Sequence, residues 1–213
     1  MSHDSQQHNR RSIRMPGYDY TQPGAYFVTI CTHGRVCLFD DPVMRRVVET
    51  YWQAIPRHAR HVSLDAWVVM PNHLHGILIF TYATPVGARH SPHVLPSTRG
   101  SAKYAEDGAT TKPTGNASPP RGPSPGSLGI VVGNLKAVTA RRINIIRHLP
   151  GADVWQRNYY EHVVRNERAL QRIREYISNN PLSWDLDIEN PANVRPGRDM
   201  DARAYYGSIW NEQ

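Results

Sequence analysis

The chain has 213 residues, with 25 lysines and arginines against 18 aspartates and glutamates, a formal net charge of +7 and a pI near 9.6. This length is enough for one domain with a sizeable core. The basic balance favours a polyanionic partner, nucleic acid above all.

The two cysteines, Cys31 and Cys37, have no companions at metal-site spacing and are expected to be free thiols rather than part of a disulfide framework. The N-terminus is polar and lacks the apolar core of a secretory signal, and no run approaches the length of a membrane span. We therefore expect a soluble cytoplasmic protein that makes no contact with a membrane.

The first 19 residues are expected to form a flexible basic arm, in which Arg10, Arg11 and Arg14 carry the charge. The alternative is a solvated tail that contacts nothing. Order is expected to begin near Tyr20, and the β-branched and aromatic residues of 25–32, AYFVTICT, predict the first strand.

The first helix is predicted to begin at Asp41-Pro42, because an acidic cap followed by proline is a typical helix start. Apolar residues recur every four positions along it and predict the face that packs on the sheet. These residues are Val43, Val47, Tyr51 and Ile55.

Two strand-like runs, 62–70 and 73–80, are separated by the turn signal MPN and predict a β-hairpin. The second run begins with two histidines, His73 and His75. Because side chains alternate along a strand, both imidazoles point to the same face and could share one metal ion. Taken alone, this pattern is more often a hydrogen-bonded histidine pair or a chance occurrence than a metal site.

Residues 81–126 are rich in proline, glycine, serine and threonine and predict a disordered insertion, since so few large apolar groups cannot offset the entropy of ordering. Ser127 is the predicted N-cap of the helix that follows. Its predicted buried stripe consists of Val131, Leu135, Val138 and Ile145.

Three basic residues of this helix are candidates for DNA binding. Lys136 and Arg141 lie on its other faces, whereas Arg142 falls within the apolar stripe. Arg142 could extend along the surface to reach water, or it could contact a phosphate; both interpretations remain open.

Residues 154–165, VWQRNYYEHVVR, predict a fourth strand in which aromatic and basic side chains are mixed. Such mixing suits a single-stranded nucleic acid, because bases stack on rings while cations meet phosphates. The candidate DNA-binding residues of this strand are Trp155, Arg157, Tyr159, Tyr160 and His162.

The resulting order of strand, helix, two strands, helix and strand predicts an α+β, ferredoxin-like βαββαβ sandwich. Both helices would cover one face and leave the histidine face open. A further helix is predicted from Asn166 as cap to Pro181 as stop, with Tyr176 and Asn180 adjacent on its surface.

A helix lying across the open face would bring Tyr176 and Asn180 to the two histidines. Two imidazoles and an amide oxygen can hold a divalent cation that polarises a phosphodiester, and the phenol would be the nucleophile. An ordinary core tyrosine is the alternative for Tyr176. The adjacent Tyr159 and Tyr160 are rival nucleophiles, although at most one of them can face the metal.

Three motifs in this order resemble those of the single-tyrosine HUH transposases, and among them the REP-associated tyrosine transposases. They are AWVVMPNHLHGIL, VWQRNYYEHVVRNE and REYISNNP, and the resemblance covers residues 20–184. Residues 185–213 would then be a C-terminal tail, which could contact DNA or pack on the domain through Trp210.

The resemblance implies a metal-dependent DNA endonuclease and strand transferase that uses Mg or Mn and forms a covalent 5′-phosphotyrosine. It implies single-stranded or hairpin DNA at palindromic repeats as substrate, action as a monomer or homodimer, and a place at the nucleoid of a bacterial cytoplasm. At matching positions, His73, His75 and Asn180 would hold the metal, Tyr176 would be the nucleophile, and His162 matches a family histidine.

Two other functions are weighed against transposition. A ferredoxin-like module could bind single-stranded nucleic acid without cutting it, using Trp155, Tyr159 and Tyr160 for stacking. A zinc-bound structural or hydrolytic domain ranks last, because the sequence shows no cysteine or carboxylate ligand placed with the histidines.

Overall fold

The computed structural model describes residues 18–82, 124–193 and 202–211. The predicted basic arm with Arg10, Arg11 and Arg14 lies outside the described residues, as do nearly all of the predicted insertion over 81–126 and part of the predicted tail. No helix of the described ranges is long and apolar enough to cross a membrane.

Helices and strands follow the predicted order, with two additional helices and several 3-10 turns. The strands are β1 Gly24–Cys31, β2 Val62–Met70, β3 His73–Phe80 and β4 Tyr160–Val164. The helices are α1 Pro42–Gln53, α2 Ile55–His58, α3 Leu128–Ile146, α4 Glu167–Asn179 and α5 Ala202–Asn211. The 3-10 turns span His33–Arg35, Leu38–Asp40, Asn180–Leu186 and Pro191–Asn193.

The four strands form one antiparallel sheet in the order β2-β3-β1-β4. This order together with the βαββαβ sequence of elements is the ferredoxin-like arrangement. The predicted α+β class is therefore confirmed. β1 lies in the centre beside β3, so the strand that carries the two histidines is flanked on both sides.

Helix caps follow the local chemistry of the sequence. The Asp41 side chain accepts a hydrogen bond from the Val43 N–H, and the Asn166 side chain accepts one from the Ala169 N–H. Ser127 is the N-cap of α3 as predicted, but its side chain makes no capping hydrogen bond.

The sheet-facing side of α1 differs from the prediction by one residue. Met44, Val48 and Trp52 are buried, whereas Val43 is exposed. The Trp52 indole decides this rotation, because it lies against the sheet where β3 has Gly76, and a Cβ there would overlap the ring. The four-residue repeat fits two neighbouring stripes equally well, so the sequence could not distinguish them.

The buried stripe of α3 is also different from the prediction in its second half. Val131 and Leu135 are buried, but Val138 and Ile145 are exposed. Arg142 is exposed as well and does not interrupt the apolar face. The full set of buried residues in α3 is Leu128, Gly129, Val131, Val132, Leu135, Thr139, Ile143 and Asn144.

The fourth strand is shorter than the predicted range of 154–165. Before β4, Trp155 makes only an isolated bridge to Thr32, and its indole donates to Thr139 Oγ1 at 2.9 Å. The Lys136 ammonium donates to the carbonyl oxygens of Gln156 and Arg157 at 2.5 and 3.0 Å. These contacts hold the segment as a loop on α3, so it does not extend the sheet.

A second apolar cluster covers the sheet face opposite to α1 and α3. It contains Phe27 and Ile77 from the sheet and Ile173 and Ile177 from α4. Tyr206 and Trp210 of α5 complete it and are buried. Of the two options for the predicted tail, packing of Trp210 on the domain is the one observed.

Candidate metal and tyrosine site

The histidines lie at the beginning of β3, in the centre of the face covered by α4 and α5. His73 pairs with Cys31 and His75 with Thr29 on β1, and both side chains have 0% exposure. Their Nε2 atoms are 2.9 Å apart. The strand parity predicted from the sequence therefore brings two imidazole nitrogens to one point.

Each ring is held by a hydrogen bond to its other nitrogen. The Asn72 amide nitrogen donates to two carbonyl oxygens, so its Oδ1 must accept from His73 Nδ1, at 2.8 Å. His75 Nδ1 lies 2.9 Å from Thr29 Oγ1. His73 Nε2 consequently carries a lone pair directed at His75, as a metal-binding histidine requires.

Burial keeps both imidazoles neutral. Desolvation lowers the pKa of His75 to about 3, and desolvation together with the neighbouring His75 and Arg35 lowers the pKa of His73 well below its ordinary value. Neutral imidazole is the form that binds a metal ion.

Tyr176 reaches this pair from α4. Its hydroxyl lies 3.3 Å from His75 Nε2, and the two ring centroids are 5.2 Å apart. Desolvation by burial raises the pKa of the phenol above its ordinary value, with a smaller contribution from the nearby Asp187 carboxylate. The phenol is therefore protonated at neutral pH and needs a positive charge beside it in order to ionise.

A carboxylate that the sequence analysis did not anticipate completes the cluster. Asp187 Oδ2 lies 3.9 Å from His73 Nε2, and one ligand atom from each of His73, His75 and Asp187 lies within 4.8 Å of the others. The statement that no carboxylate accompanies the histidines was wrong. Asp187 falls in the segment predicted as a tail. The only sequence signal for its role was an acidic side chain shortly after the helix that contains Tyr176.

Asn180, the predicted third ligand, is buried beside the same cluster. Its amide nitrogen donates to Asp187 Oδ2 at 2.7 Å, and within the described residues its Oδ1 has no hydrogen-bond partner. The amide thus contacts the carboxylate, while its oxygen is left available to accept a hydrogen bond or to bind a cation. Its role as a ligand remains a prediction.

A cleft of about 430 Å³ leads from the surface to Tyr176. It lies between the end of α4, the Asn180–Leu186 turn and α5. Its lining includes Tyr176, Asn179, Asn180, Ser183, Asp187 and Tyr205. The predicted nucleophile and the acidic ligand therefore share one opening, large enough for a nucleotide-sized group.

Comparison with known proteins gives a relative of similar length and more distant structural neighbours. The chain is 35% identical over 191 residues to an uncharacterized protein of Haemophilus influenzae, and the match covers 84% of this chain and 92% of the other. The chain belongs to the same family as that Haemophilus influenzae protein. No family model matches the chain.

Two solved structures resemble this member of the family. A REP-associated tyrosine transposase bound to a REP hairpin has 17% identity and a TM-score of 0.48, covering 80% of this chain and 73% of its own. A candidate transposase from Deinococcus radiodurans has 20% identity and a TM-score of 0.39, and the match covers 78% of this chain and 97% of the other. At these values the likeness is too distant to define a function, which has to be argued from the geometry of the site.

The candidate DNA-binding residues are not gathered at this site. Arg141, Arg142 and Arg157 are exposed, and the Lys136 ammonium is occupied by carbonyl oxygens. Their predicted contacts with DNA stay predictions.

The aromatic candidates divide between the two faces of the sheet. Trp155 and Tyr160 are buried, so neither ring is exposed for stacking on a base, contrary to the prediction. Tyr159 packs on the α1–α3 side, away from the histidines. Tyr160 packs on the histidine side against Tyr206, with ring centroids 4.6 Å apart, and His162 lies beside Trp210 at 6.1 Å.

Proposed function

We propose that this protein is a single-tyrosine, metal-dependent DNA strand transferase that cleaves single-stranded or hairpin DNA through a covalent 5′-phosphotyrosine. One observation carries the proposal: the Tyr176 phenol and the donor atoms of His73, His75 and Asp187 converge in one buried site beneath an open cleft. Neither a structural metal site nor a stacking surface needs a phenol at that point.

The three donor groups fit a divalent cation. Two neutral imidazole nitrogens and one carboxylate oxygen form an incomplete ligand set that leaves positions for a phosphodiester. A cation held there would polarise the phosphodiester and lower the cost of ionising the phenol. Because magnesium prefers oxygen ligands, this set of donors favours Mn²⁺ over Mg²⁺.

The reaction exchanges one phosphodiester bond for another. The Tyr176 oxygen attacks phosphorus as its proton leaves to solvent in the cleft, and the bond from phosphorus to the 3′ oxygen breaks. The departing 3′ oxygen takes up a proton and becomes a free hydroxyl, while the 5′ phosphate stays on Tyr176. Attack by a 3′ hydroxyl on the phosphotyrosine reverses these steps and joins DNA.

All four groups belong to one chain, which supports a site that assembles without a second copy. The net charge of +7 supports a DNA substrate, with Arg141, Arg142 and Arg157 as exposed candidates for phosphate contacts. We propose palindromic repeat hairpins as the target, and action at the nucleoid of a bacterial cytoplasm follows from that substrate.

The test is incubation of the full chain with labelled single-stranded repeat hairpins and Mn²⁺ or Mg²⁺, followed by denaturing gel electrophoresis. We expect a protein-linked DNA band at lower Mn²⁺ than Mg²⁺ concentrations. Tyr176→Phe abolishes it, because no oxygen remains to bond phosphorus, whereas Tyr159→Phe and Tyr160→Phe retain it.

Other outcomes identify the alternatives. A band that persists in Tyr176→Phe moves the nucleophile to another residue. Tight DNA binding with no band for any repeat supports a binding module. Metal-dependent cleavage without a protein-linked band supports hydrolysis, which Asp187 makes chemically possible as a third ligand.

A further inference from the structure

Asp187 lies outside the regular helices and strands, directly after the Asn180–Leu186 turn. A metal ligand must be held to within a fraction of an ångström, so a carboxylate on an irregular segment needs external support. We propose that Arg35 is a positioning residue that holds this segment against the histidines and thereby sets the affinity of the site for its divalent cation. This inference rests on the function proposed above.

The guanidinium of Arg35 makes two contacts with the segment that follows Asp187. Its Nη1 donates to the Ile188 carbonyl oxygen at 3.1 Å and lies 2.5 Å from Glu189 Oε2. The Glu189 side chain is 4% exposed, so this ion pair is largely shielded from solvent. The segment is consequently held both through its main chain and through a buried charge.

Arg35 is held in an unusual backbone conformation to make these contacts. It has φ 56°, in the left-handed region, at the end of the His33–Arg35 turn after β1. A residue other than glycine adopts this backbone region at a cost of about 1 kcal/mol. The surrounding contacts must compensate this cost, which fits a residue whose position matters.

Asn72 connects the same segment to a histidine. Its amide nitrogen donates to the Glu189 carbonyl oxygen at 2.6 Å and to the Arg35 carbonyl oxygen at 3.1 Å. Its Oδ1 accepts from His73 Nδ1 at 2.8 Å. One amide therefore joins the ring of His73, the turn that carries Arg35 and the Asp187 segment.

The position of the Asp187 carboxylate depends on Glu189, which Arg35 and Asn72 hold in place. Its Oδ1 accepts from the Glu189 N–H at 2.6 Å, while its Oδ2 accepts from Asn180 and faces His73. Glu189 is thus fixed through its carboxylate by Arg35 and through its carbonyl by Asn72, and its N–H orients Asp187. Loss of the Arg35 contact should release Asp187 from the histidines.

The test compares the Mn²⁺ affinity of the full-length wild-type protein with that of the full-length double variant Arg35→Gln/Glu189→Gln. The double variant removes the ion pair without leaving a buried unpaired charge. Isothermal titration of the metal-free proteins with Mn²⁺ should show a dissociation constant raised about 10- to 100-fold. Adduct formation should need correspondingly more Mn²⁺ and regain the wild-type rate at saturation, which a general loss of structure would not allow.

Two single variants complete the design. Arg35→Lys keeps the positive charge, but its ammonium does not reach as far along the side chain as Nη1, which makes both contacts with the segment. It should therefore give an intermediate affinity even if the double variant does not fold. Arg45→Gln is the matched control, because Arg45 also donates to two carbonyl oxygens, those of Phe39 and Val69, away from Asp187. It should leave Mn²⁺ affinity unchanged.

The outcomes separate this inference from the proposed function. Wild-type Mn²⁺ affinity in folded Arg35→Lys and in the folded double variant overturns the role of Arg35 and leaves the proposed function intact. Equal losses in Arg45→Gln and Arg35→Lys overturn it as well, since the effect would then be general. Absence of Mn²⁺ binding to the wild-type protein overturns both proposals.

Discussion

His162 illustrates how a single half-buried residue makes stability depend on pH. Desolvation, with a smaller contribution from Arg165, lowers its pKa to about 4. The unfolded chain takes up a proton near pH 6.5, so it binds more protons than the folded chain between the two values. We expect this residue to reduce the free energy of unfolding by on the order of 1–2 kcal/mol as pH falls through that window, allowing for its partial exposure.

The measurement is urea unfolding of wild type and His162→Gln at about pH 7.5 and about pH 4.5. The buried histidines His73 and His75 also contribute, so the informative quantity is the difference between the two proteins in the stability lost on acidification. The free energy of unfolding that is lost between the two pH values should be smaller in His162→Gln than in the wild type. Equal losses in both proteins would show that His162 is protonated as readily in the folded state as in the unfolded state.

At the scale of elements, the position of α4 depends on a bidentate ion pair. The Arg174 Nε and Nη2 atoms donate to the two oxygens of Asp65 at 2.9 and 2.7 Å, and Asp65 lies at the irregular register of β2. The hydrogen bond from Arg174 lowers the pKa of this carboxyl, so the pair persists through the neutral range. The ion pair ties α4 to the sheet two residues before Tyr176.

We therefore expect Asp65→Asn to slow adduct formation by about tenfold at saturating Mn²⁺, because small displacements of a nucleophile are costly. Single-turnover gel assays measure this rate. Glu167→Gln is the control: Glu167 contacts the same guanidinium at 3.1 Å but is mostly exposed, and its loss should change the rate little. A wild-type rate in Asp65→Asn would mean that apolar packing alone positions α4.

At the scale of the whole molecule, the C-terminal helix closes the core on the histidine face. Trp210 is 2% exposed and packs on Phe27 with ring centroids 5.1 Å apart. Trp210→Ala should lower the free energy of unfolding by about 3 kcal/mol, measured by urea denaturation. Leu182→Ala removes a side chain that is 90% exposed, so it should change the free energy of unfolding by less than about 0.5 kcal/mol. Similar values for the two variants would show that α5 does not stabilise the domain.

The sequence predicted elements better than the faces that they bury. Asp41 and Asn166 cap helices where expected, because a cap depends on groups within three residues. The stripe of α1 was misplaced by one residue, since helix rotation depends on how Trp52 fits over Gly76, and these residues come from different elements. Trp155 and Tyr160 were predicted to stack on bases but are buried, and the sequence could not show this because their burial is decided by what packs over them.

The sequence by itself determined the order of elements, the shared face of His73 and His75, and the helical position of Tyr176, because each follows from periodicity or from near neighbours in the chain. Only the tertiary structure decided that Asp187 joins the histidines and that Arg35 and Asn72 hold its segment. Contacts between distant parts of the chain depend on how complete elements pack together. No local pattern around Asp187 encodes the site to which its carboxylate is delivered.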